Sequence, residues 1–223
     1  MLGGGYWYLR SVYFFRDPVR HPPDDPAAIL APCDGTVVYV KRLHGGVIEA
    51  DKLGRAIPLP ELHRSVHGFD AGWLIGIYMS PLDVHFNYAP VTASVNDVVH
   101  TPAATNLPMV DLWEYVNLTF LRRAVDLFAH RYHLVNERNT IFLRAEGRPP
   151  LAMVEIADKF VNKISCFVTA GDRVQAGQKV SFIARGSQVD LIIGEPEIEV
   201  LVQAGRHVTG AETVVARWRH EAI

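Results

Sequence analysis

The chain has 223 residues and is 49% hydrophobic, which is enough to bury a core, and we expect one domain over residues 1–223. Its formal net charge of −2 excludes the basic footprint of a nucleic-acid-binding protein, so no nucleic-acid partner is expected. Cys33 and Cys166 are too few for a disulfide framework or a cysteine-based metal motif, and we expect two reduced thiols in a cytoplasmic protein.

Residues 1–15 combine aromatic side chains with a glycine run. The aromatic residues are Tyr6, Trp7, Tyr8, Tyr13, Phe14 and Phe15. Three glycines at residues 3–5 and Arg10 interrupt the apolar stretch, which is much shorter than the ~20 apolar residues that cross a bilayer. Because aromatic rings are favoured at the membrane–water interface, this segment either contacts a membrane surface or forms an N-terminal strand packed on the domain.

The next segment is rich in proline and is followed by many short apolar runs. Five prolines between residues 18 and 32 predict an extended connector, because proline fixes φ and removes a hydrogen-bond donor. After Gly35, β-branched and apolar runs predict strands at residues 36–40, 47–50, 74–79, 141–143, 152–156, 164–168, 179–183, 189–193 and 197–202. Short strands at this spacing, with glycine turns between them, predict a mainly β protein of the α+β class, arranged as an antiparallel sandwich or barrel.

One long helix is predicted between residues 109 and 127. Apolar residues recur there at steps of three and four, at Met109, Leu112, Trp113, Val116, Phe120, Ala124 and Leu127. Acidic Asp111 and Glu114 come early and basic Arg122 and Arg123 come late, which suits the helix dipole. The helix either packs on the core or serves as an apolar lid that dips into lipid.

Five short blocks of sequence occur in a characteristic order. They are Phe-Phe-Arg-Asp-Pro at residues 14–18, Ala-Pro-Cys-Asp-Gly at 31–35, Tyr-Met-Ser-Pro-Leu-Asp-Val-His-Phe-Asn-Tyr-Ala-Pro at 78–90, Asn-Glu-Arg-Asn at 136–139 and Gly-Ser at 186–187. Together they resemble the blocks of the phosphatidylserine decarboxylase family, above all its short branch. The resemblance covers roughly residues 14–194, and the predicted helix is an insertion where family members usually have a shorter loop.

The resemblance implies a carboxy-lyase that makes its own cofactor. The Ser187 hydroxyl attacks the Gly186 carbonyl, the chain divides into residues 1–186 and 187–223, and Ser187 becomes a covalently bound pyruvoyl group. Glycine before the serine leaves the carbonyl open to attack, because it has no Cβ. Removal of CO2 from an amino acid needs an electron sink, and the sequence shows no glycine-rich phosphate cradle for pyridoxal phosphate, the other common solution.

Two further positions carry the expected chemistry. His85 can pass a proton near neutral pH, although a lone histidine is often structural, and the resemblance implies that it is catalytic. Asp34 fits an Asx turn before Gly35, and the resemblance implies that it belongs to an Asp-His-Ser set that activates Ser187.

Tyr88 is a departure from the family pattern. The long branch has a second histidine there and the short branch commonly has arginine, so the base that activates Ser187 stays open and His85 could serve both steps. A lost arginine can also mean a lost phosphate contact. His63 and His67 have helical i, i+4 spacing without a carboxylate motif, and no metal is expected.

The resemblance implies conversion of phosphatidylserine to phosphatidylethanolamine. The implied partners are the phospholipid substrate and the inner membrane face, which the protein contacts peripherally, and the two cleavage fragments stay together as a heterodimer or a homo-oligomer of it. Three alternatives remain: the same chemistry on a smaller serine-like or other amino acid, a pseudoenzyme that never cleaves, and a carrier-like module. The hairpins near residues 171–172 and 177–178 resemble biotinyl or lipoyl carriers, but they lack a modifiable lysine at a hairpin tip.

Overall fold

The computed structural model of this protein describes residues 7, 12–49, 56–63, 68–103, 105–119, 125, 127, 132–159, 164–183 and 187–219. Within those ranges the chain forms sixteen strands and three short helices. The strands are β1 (Ala28–Leu30), β2 (Gly35–His44), β3 (Val47–Glu49), β4 (Ala56–Pro58), β5 (Ala71–Met79), β6 (Phe86–Tyr88), β7 (Ala93–Thr101), β8 (Arg138–Arg144), β9 (Leu151–Ala157), β10 (Ile164–Cys166), β11 (Arg173–Val174), β12 (Lys179–Ile183), β13 (Ser187–Ile193), β14 (Ile198–Val200), β15 (His207–Val208) and β16 (Val214–Trp218). The helices are α1 (Leu59–His63), α2 (Leu112–Thr119) and α3 (Tyr132–Val135).

The strands form one large antiparallel sheet and two small ones. The large sheet has ten strands in the order β11-β7-β8-β9-β13-β5-β2-β3-β4, with β15 paired to β2. The small sheets have the orders β1-β16-β14 and β10-β12-β6. The mainly β, antiparallel class that the sequence predicts is therefore confirmed, and within the described ranges the sheets remain open.

The large sheet lies between two layers, so both of its faces are buried. Residues of β13 show the alternation: Val189 and Leu191 pack with the small sheets, and Ile192 packs with the helices. All seven residues of β13 are buried, although Ser187, Gln188 and Asp190 are polar. β13 is thus the central strand of the sheet, paired on both sides with β5 and β9.

Each predicted strand is present, but several strands are not among the predictions: the long β7, and the short β1, β4, β6, β15 and β16. β7 is half-exposed over most of its length and its register shifts between Val95 and Asp97. These features dilute the hydrophobic alternation that identifies a strand in sequence. The proline-rich connector is not helical, as expected, but it is coil with a turn closed by the bond from the Ala28 amide to the Asp25 carbonyl, and β1 forms near its end.

The predicted long helix is present in a shorter form. α2 begins with a capping box, in which the Glu114 amide donates to Asp111 Oδ1 at 2.8 Å and the Asp111 amide donates to Glu114 Oε2 at 2.9 Å. Val125 and Leu127 are not helical, while Phe120 and Ala124 lie outside the described residues. The prediction was wrong at Leu127, because that residue is buried in the core without belonging to a helix. The apolar spacing therefore marked buried residues at Met109 and Leu127, which does not require one continuous helix, whereas Trp113 is 70% exposed.

Arg138 ties two helices to the large sheet. Its buried guanidinium donates to the carbonyls of Glu61 at 3.0 Å and Leu62 at 3.2 Å in α1, and to those of His133 and Leu134 in α3. A cation at these carbonyls satisfies groups that a helix leaves unpaired at its C-terminal end. The Asn-Glu-Arg-Asn block is thus explained in part by helix capping.

The remaining predictions about composition and termini have mixed outcomes. Cys33 and Cys166 are free thiols. Residues 12–13 are helical, residues 14–15 form a turn and residues 16–17 are coil, which does not support an N-terminal strand. In the segment Met1–Tyr8 only the exposed Trp7 is described. His67 lies outside the described residues. Among the residues that the structure describes, no helix is long and apolar enough to cross a bilayer.

Candidate active site

Ser187 is the first residue of the central strand. It pairs with Met79 of β5 and Ala157 of β9, and its side chain is completely buried. Its hydroxyl donates to Met79 Sδ at 3.2 Å, and a thioether is a weak acceptor. Gly186 lies outside the described residues together with residues 184 and 185. The predicted cleavage bond therefore joins a buried strand to the end of that segment, and the serine hydroxyl has only a weak partner to lose.

His85 is buried immediately before β6. Its ring stacks on Phe14 with ring centres 4.2 Å apart, and Nε2 lies 3.1 Å from the carbonyl oxygen of Ser80. Because a carbonyl only accepts, Nε2 is assigned the proton and Nδ1 carries the free lone pair. Nδ1 has no hydrogen-bond partner in the described part of the chain. Burial lowers the pKa of His85 to about 4, so the ring is neutral near physiological pH.

The structure brings Ser187 and His85 to the same end of the large sheet. Ser80, which holds the imidazole, directly follows Met79, the strand partner of Ser187. The amide of Ile183 donates to the His85 carbonyl at 3.1 Å. Residues 184–186 run between Ile183 and Ser187, so both ends of this segment are anchored beside the histidine.

Asp34 is near this end of the sheet but is held by other groups. Its Oδ1 accepts hydrogen bonds from Arg20 Nη2 and from the Gly210 amide, each at 2.8 Å. The register aligns Thr36 with Tyr78 and Tyr78 with Gln188, so β5 lies between Asp34 and Ser187. Two inter-strand spacings place the two backbones about 10 Å apart. Asp34 thus reaches Ser187 only through an intermediary, and the first group it contacts is Arg20.

Tyr88 is linked to Asp34 by the same arginine. Arg20 Nε donates to the Tyr88 hydroxyl at 3.2 Å, and the guanidinium carbon lies 5.4 Å from the tyrosine ring centre. Burial raises the pKa of Tyr88, against the opposing influence of Arg20. A guanidinium is therefore present beside residue 88, although it comes from the connector and not from residue 88 itself. Sequence reasoning missed Arg20, because a contact between residues 68 positions apart leaves no local pattern.

Gly210 is required beside this cluster. A Cβ at residue 210 would lie 2.8 Å from the Tyr88 ring and 2.9 Å from the Cys33 carbonyl carbon. The loop can place its amide on Asp34 only because glycine allows this close approach.

Asp83 shapes the turn that carries His85. Its carboxylate accepts from the Ser80 amide at 2.8 Å, from the Ser80 hydroxyl at 2.7 Å, and lies 3.0 Å from His207 Nε2. Burial acts to raise the pKa of Asp83, but the hydrogen bonds from His207 and Ser80 outweigh it and lower the pKa. The turn is thereby fixed, and with it the Ser80 carbonyl that orients His85.

A buried carboxyl group that sequence reasoning missed lies on the same face as Ser187. Glu155 of β9 accepts from Asn139 Nδ2 at 2.7 Å, from Asn87 Nδ2 at 3.1 Å and from the Ser181 hydroxyl. Burial raises its pKa to about 7, although these three hydrogen bonds act to lower it. The available signal was a charged residue inside the otherwise apolar run of residues 151–157.

A second buried carboxyl group lies on the opposite face of β13. Asp190 Oδ1 accepts from the Tyr39 hydroxyl at 2.6 Å and from Gln188 Nε2 at 2.7 Å. Gln188 in turn accepts from the Tyr132 hydroxyl at 2.7 Å. Burial raises the pKa of Asp190 to about 7. This network connects α3, through Tyr132, to the residue that follows Ser187.

Exposed apolar side chains lie on the surface near His85. Phe15, Phe167 and Leu82, which we call the aromatic rim, are 55%, 52% and 39% exposed. Phe15 stacks on Phe182 with ring centres 5.6 Å apart, and Phe182 contacts Phe14, which covers His85. An exposed apolar patch of this kind is typical of a binding surface.

Comparisons with known proteins agree with the sequence blocks. The sequence model described as phosphatidylserine decarboxylase matches residues 7–216. The phosphatidylserine decarboxylase proenzyme of Pelobacter propionicus is 30% identical over 210 residues, which cover 94% of this chain and 77% of that protein. The putative archaetidylserine decarboxylase proenzyme of Methanothermobacter thermautotrophicus is 34% identical over 205 residues, covering 92% and 79%. The phosphatidylserine decarboxylase proenzyme of Gluconacetobacter diazotrophicus is 31% identical over 214 residues, covering 96% and 79%.

Proposed function

The chain belongs to the phosphatidylserine decarboxylase family, and we propose that it is a proenzyme that cleaves itself between Gly186 and Ser187 and then decarboxylates a phospholipid with a serine head group. The product from phosphatidylserine is phosphatidylethanolamine. The observation that carries this proposal is the neutral, buried His85 at the end of the sheet where Ser187 begins, whose Nδ1 has no partner among the described residues.

Cleavage uses His85 as the base. Nδ1 takes the proton of the Ser187 hydroxyl while Oγ attacks the Gly186 carbonyl carbon. The peptide C–N bond then breaks and the Ser187 nitrogen receives that proton, which gives an ester and a free amine. Loss of the Ser187 α-proton then breaks the Cβ–O bond and releases residues 1–186 as a carboxylate. The dehydroalanine that remains takes up water, loses ammonia and becomes the pyruvoyl group.

The residues present fit a pyruvoyl group at position 187. The Ser187 hydroxyl is bound only by a thioether sulfur, and the lone pair of His85 Nδ1 has no partner in the described residues. The pyruvoyl group supplies a carbonyl that condenses with the substrate amine and takes up the electrons released with CO2. His85 holds a proton removed from the substrate and returns it after CO2 has left.

The aromatic rim supports a substrate that lies in a membrane. Phe15 and Phe167 are exposed and lie near His85, through contacts with Phe14 and Phe86. Aromatic rings are favoured at the headgroup level of a bilayer, so such a surface places the site against lipid head groups. The contact is peripheral, because a few exposed rings give reversible binding and not permanent insertion. The proposed contact is with the inner face of the membrane.

Intact-mass spectrometry under denaturing conditions tests the cleavage. The wild-type protein should separate into residues 1–186 and a fragment of 223 − 186 = 37 residues with a pyruvoyl N-terminus. Ser187→Ala should remain one chain, because it lacks the attacking oxygen. An active wild-type protein that contains only uncleaved chain would overturn the proposal.

A second candidate is the same chemistry on water-soluble serine derivatives. One observation favours it: Arg20, the guanidinium found beside Tyr88, is already bound to Asp34 and so is not free for a phosphodiester.

Release of CO2 from vesicles of phosphatidylserine should be compared with release from phosphoserine. For the lipid substrate, Phe167→Glu should weaken vesicle binding and lipid turnover but leave cleavage intact, whereas the exposed Leu201→Glu should change neither. Turnover of phosphoserine alone, without vesicle binding, would favour the second candidate.

A further inference from the structure

We propose that Asn87 binds the substrate amine through its side-chain oxygen, and that Glu155 and Ser181 are positioning residues that fix the Asn87 amide for this task. The inference rests on the proposed function and deepens it by assigning the amine subsite.

The position of Glu155 relative to Ser187 follows from the strand register. Ser187 lies opposite Ala157 and Val189 lies opposite Glu155, so Ser187 and Glu155 are diagonal neighbours on adjacent strands. Diagonal neighbours in an antiparallel pair are about 7–8 Å apart. Val189 and Ala157 belong to the core beneath the small sheets, so Ser187 and Glu155 face that same side. Whatever Glu155 holds is therefore close to the reacting end of β13.

Glu155 holds Asn87 in one orientation. Asn87 Nδ2 donates to Glu155 Oε1 at 3.1 Å and to the Ser181 hydroxyl at 2.8 Å, which uses both amide hydrogens. Ser181 passes its own hydrogen to Glu155. An ionised carboxylate accepts only, so the nitrogen of the Asn87 amide must face it and the oxygen must face away.

The oxygen that faces away is a buried acceptor without a partner. Asn87 is completely buried, and its Oδ1 has no hydrogen-bond partner within the described residues. His85 Nδ1, two residues earlier, is also a buried acceptor without one there. Buried polar groups of native proteins are nearly always paired, so two such acceptors close together indicate a ligand with donors.

An ammonium group supplies the donors that these two acceptors lack. It carries only N–H donors, and it must lose one proton before its lone pair can attack a carbonyl carbon. His85 Nδ1 takes that proton, and the N–H bond electrons become the amine lone pair. Asn87 Oδ1 accepts a second N–H and holds the nitrogen in place. The three groups that donate to Glu155 are neutral, so its negative charge favours a cation nearby.

The test measures capture of an amine that cannot be decarboxylated. Cleaved wild-type enzyme is incubated with phosphoethanolamine and sodium cyanoborohydride, and capture is read as a mass increase of the fragment of residues 187–223. Asn87→Ala should still cleave but should capture the amine about 10- to 100-fold more slowly, the loss expected for a hydrogen bond to a charged group. Asn117→Ala, which removes a buried asparagine of α2 that bonds only within its helix in the described contacts, is the matched control and should capture at the wild-type rate. Wild-type capture by Asn87→Ala would overturn the inference.

A second variant separates the role of the Glu155 charge from simple support of the fold. The pKa of Glu155 is about 7, so the ratio of wild-type to Glu155→Gln capture should rise between about pH 6 and about pH 8. The thiols of Cys33 and Cys166 also respond to Glu155, but burial raises the pKa of both, and they stay uncharged over this range. A ratio that does not change with pH would overturn the role of Glu155, and this test decides the matter if Asn87→Ala fails to cleave.

If wild-type protein never cleaves, the proposed function fails as well. If it cleaves and turns over substrate, only the inference about Asn87 and Glu155 is tested.

Discussion

At the scale of single residues, His85 is distinguished by a neutral ring with one nitrogen bound to Ser80 and the other without a partner among the residues that the structure describes. His85→Ala should slow cleavage or decarboxylation on the order of 10²–10⁴-fold, the usual effect of removing a general acid or base. The rates are measured by intact mass for cleavage and by CO2 release for turnover. His100→Ala removes an exposed histidine that lies 2.9 Å from Glu137 and should leave both rates unchanged. A cleaved His85→Ala protein with normal turnover would show that the histidine is structural.

Arg20 and Asp34 form a largely buried ion pair, with side chains only 9% and 11% exposed. Arg20→Gln leaves the Asp34 carboxylate without its cation and should lower the free energy of unfolding by about 3 kcal/mol. In an Asp34→Asn background, Arg20→Gln should lower the free energy of unfolding much less, because no buried carboxylate is left without a cation. Urea unfolding in the uncleaved Ser187→Ala background measures both effects.

The exposed pair Arg217–Asp25 provides the comparison for that cycle. Its side chains are 47% and 28% exposed, so Arg217→Gln should cost less than about 1 kcal/mol. Equal losses at Arg20 and Arg217 would mean that burial of Asp34 is unimportant for the pair.

At the scale of secondary-structure elements, Arg138 joins β8 to the carbonyl ends of α1 and α3. Arg138→Lys should be destabilising by about 2–3 kcal/mol, because a single ammonium cannot reproduce the planar fork that reaches four carbonyls. Thermal and urea unfolding of the Ser187→Ala background report the loss. Arg144→Met, at the exposed end of the same strand, should stay within about 0.5 kcal/mol of its parent. A fully stable Arg138→Lys protein would show that these helix ends do not need the guanidinium.

The sequence allowed most strands to be predicted, because their apolar runs are local. Contacts between distant parts of the chain leave no local pattern. Arg20 and Glu155 therefore became visible only when the structure placed them beside Tyr88 and Asn87. Gly186-Ser187 and His85 were found through the resemblance, and the structure adds where the side chains of Ser187 and His85 lie and what holds them. The role of Asp34 stays a prediction, since its first contact is Arg20 and not the serine.

At the scale of the whole molecule, the large sheet has a buried carboxyl group on each face, and neither carboxyl group forms an ion pair in the described contacts. The pKa of Glu155 and of Asp190 is raised by burial to about 7. Between the unfolded value near 4.5 and 7, the unfolded chain releases the Glu155 proton while the folded chain keeps it. The folded state then binds more protons, so the contribution of this group to stability falls as pH rises through that window and is constant above it.

Glu155→Gln should therefore become relatively more stabilising as pH rises. Between about pH 5 and about pH 8 its free energy of unfolding, relative to the Ser187→Ala parent, should improve by about 2–3 kcal/mol. Urea midpoints at each pH provide the measurement. Glu197→Gln, at an exposed side chain, should show no such trend. Parallel pH dependences of Glu155→Gln and its parent would contradict a raised pKa at this residue.

The central place of β13 has a consequence for the lifetime of the mature protein. Cleavage before Ser187 would leave β13 on the smaller fragment, hydrogen-bonded along seven residues to β5 and along seven to β9 of the larger one. Folding of the proenzyme is an intramolecular event, whereas recovery of the cut form from denaturant would be a second-order encounter that slows as the protein is diluted. The chemistry that creates the active site would thereby make denaturation effectively one-way in dilute solution. The decarboxylase would then depend on a high barrier to unfolding for its persistence, and not on an equilibrium that restores it.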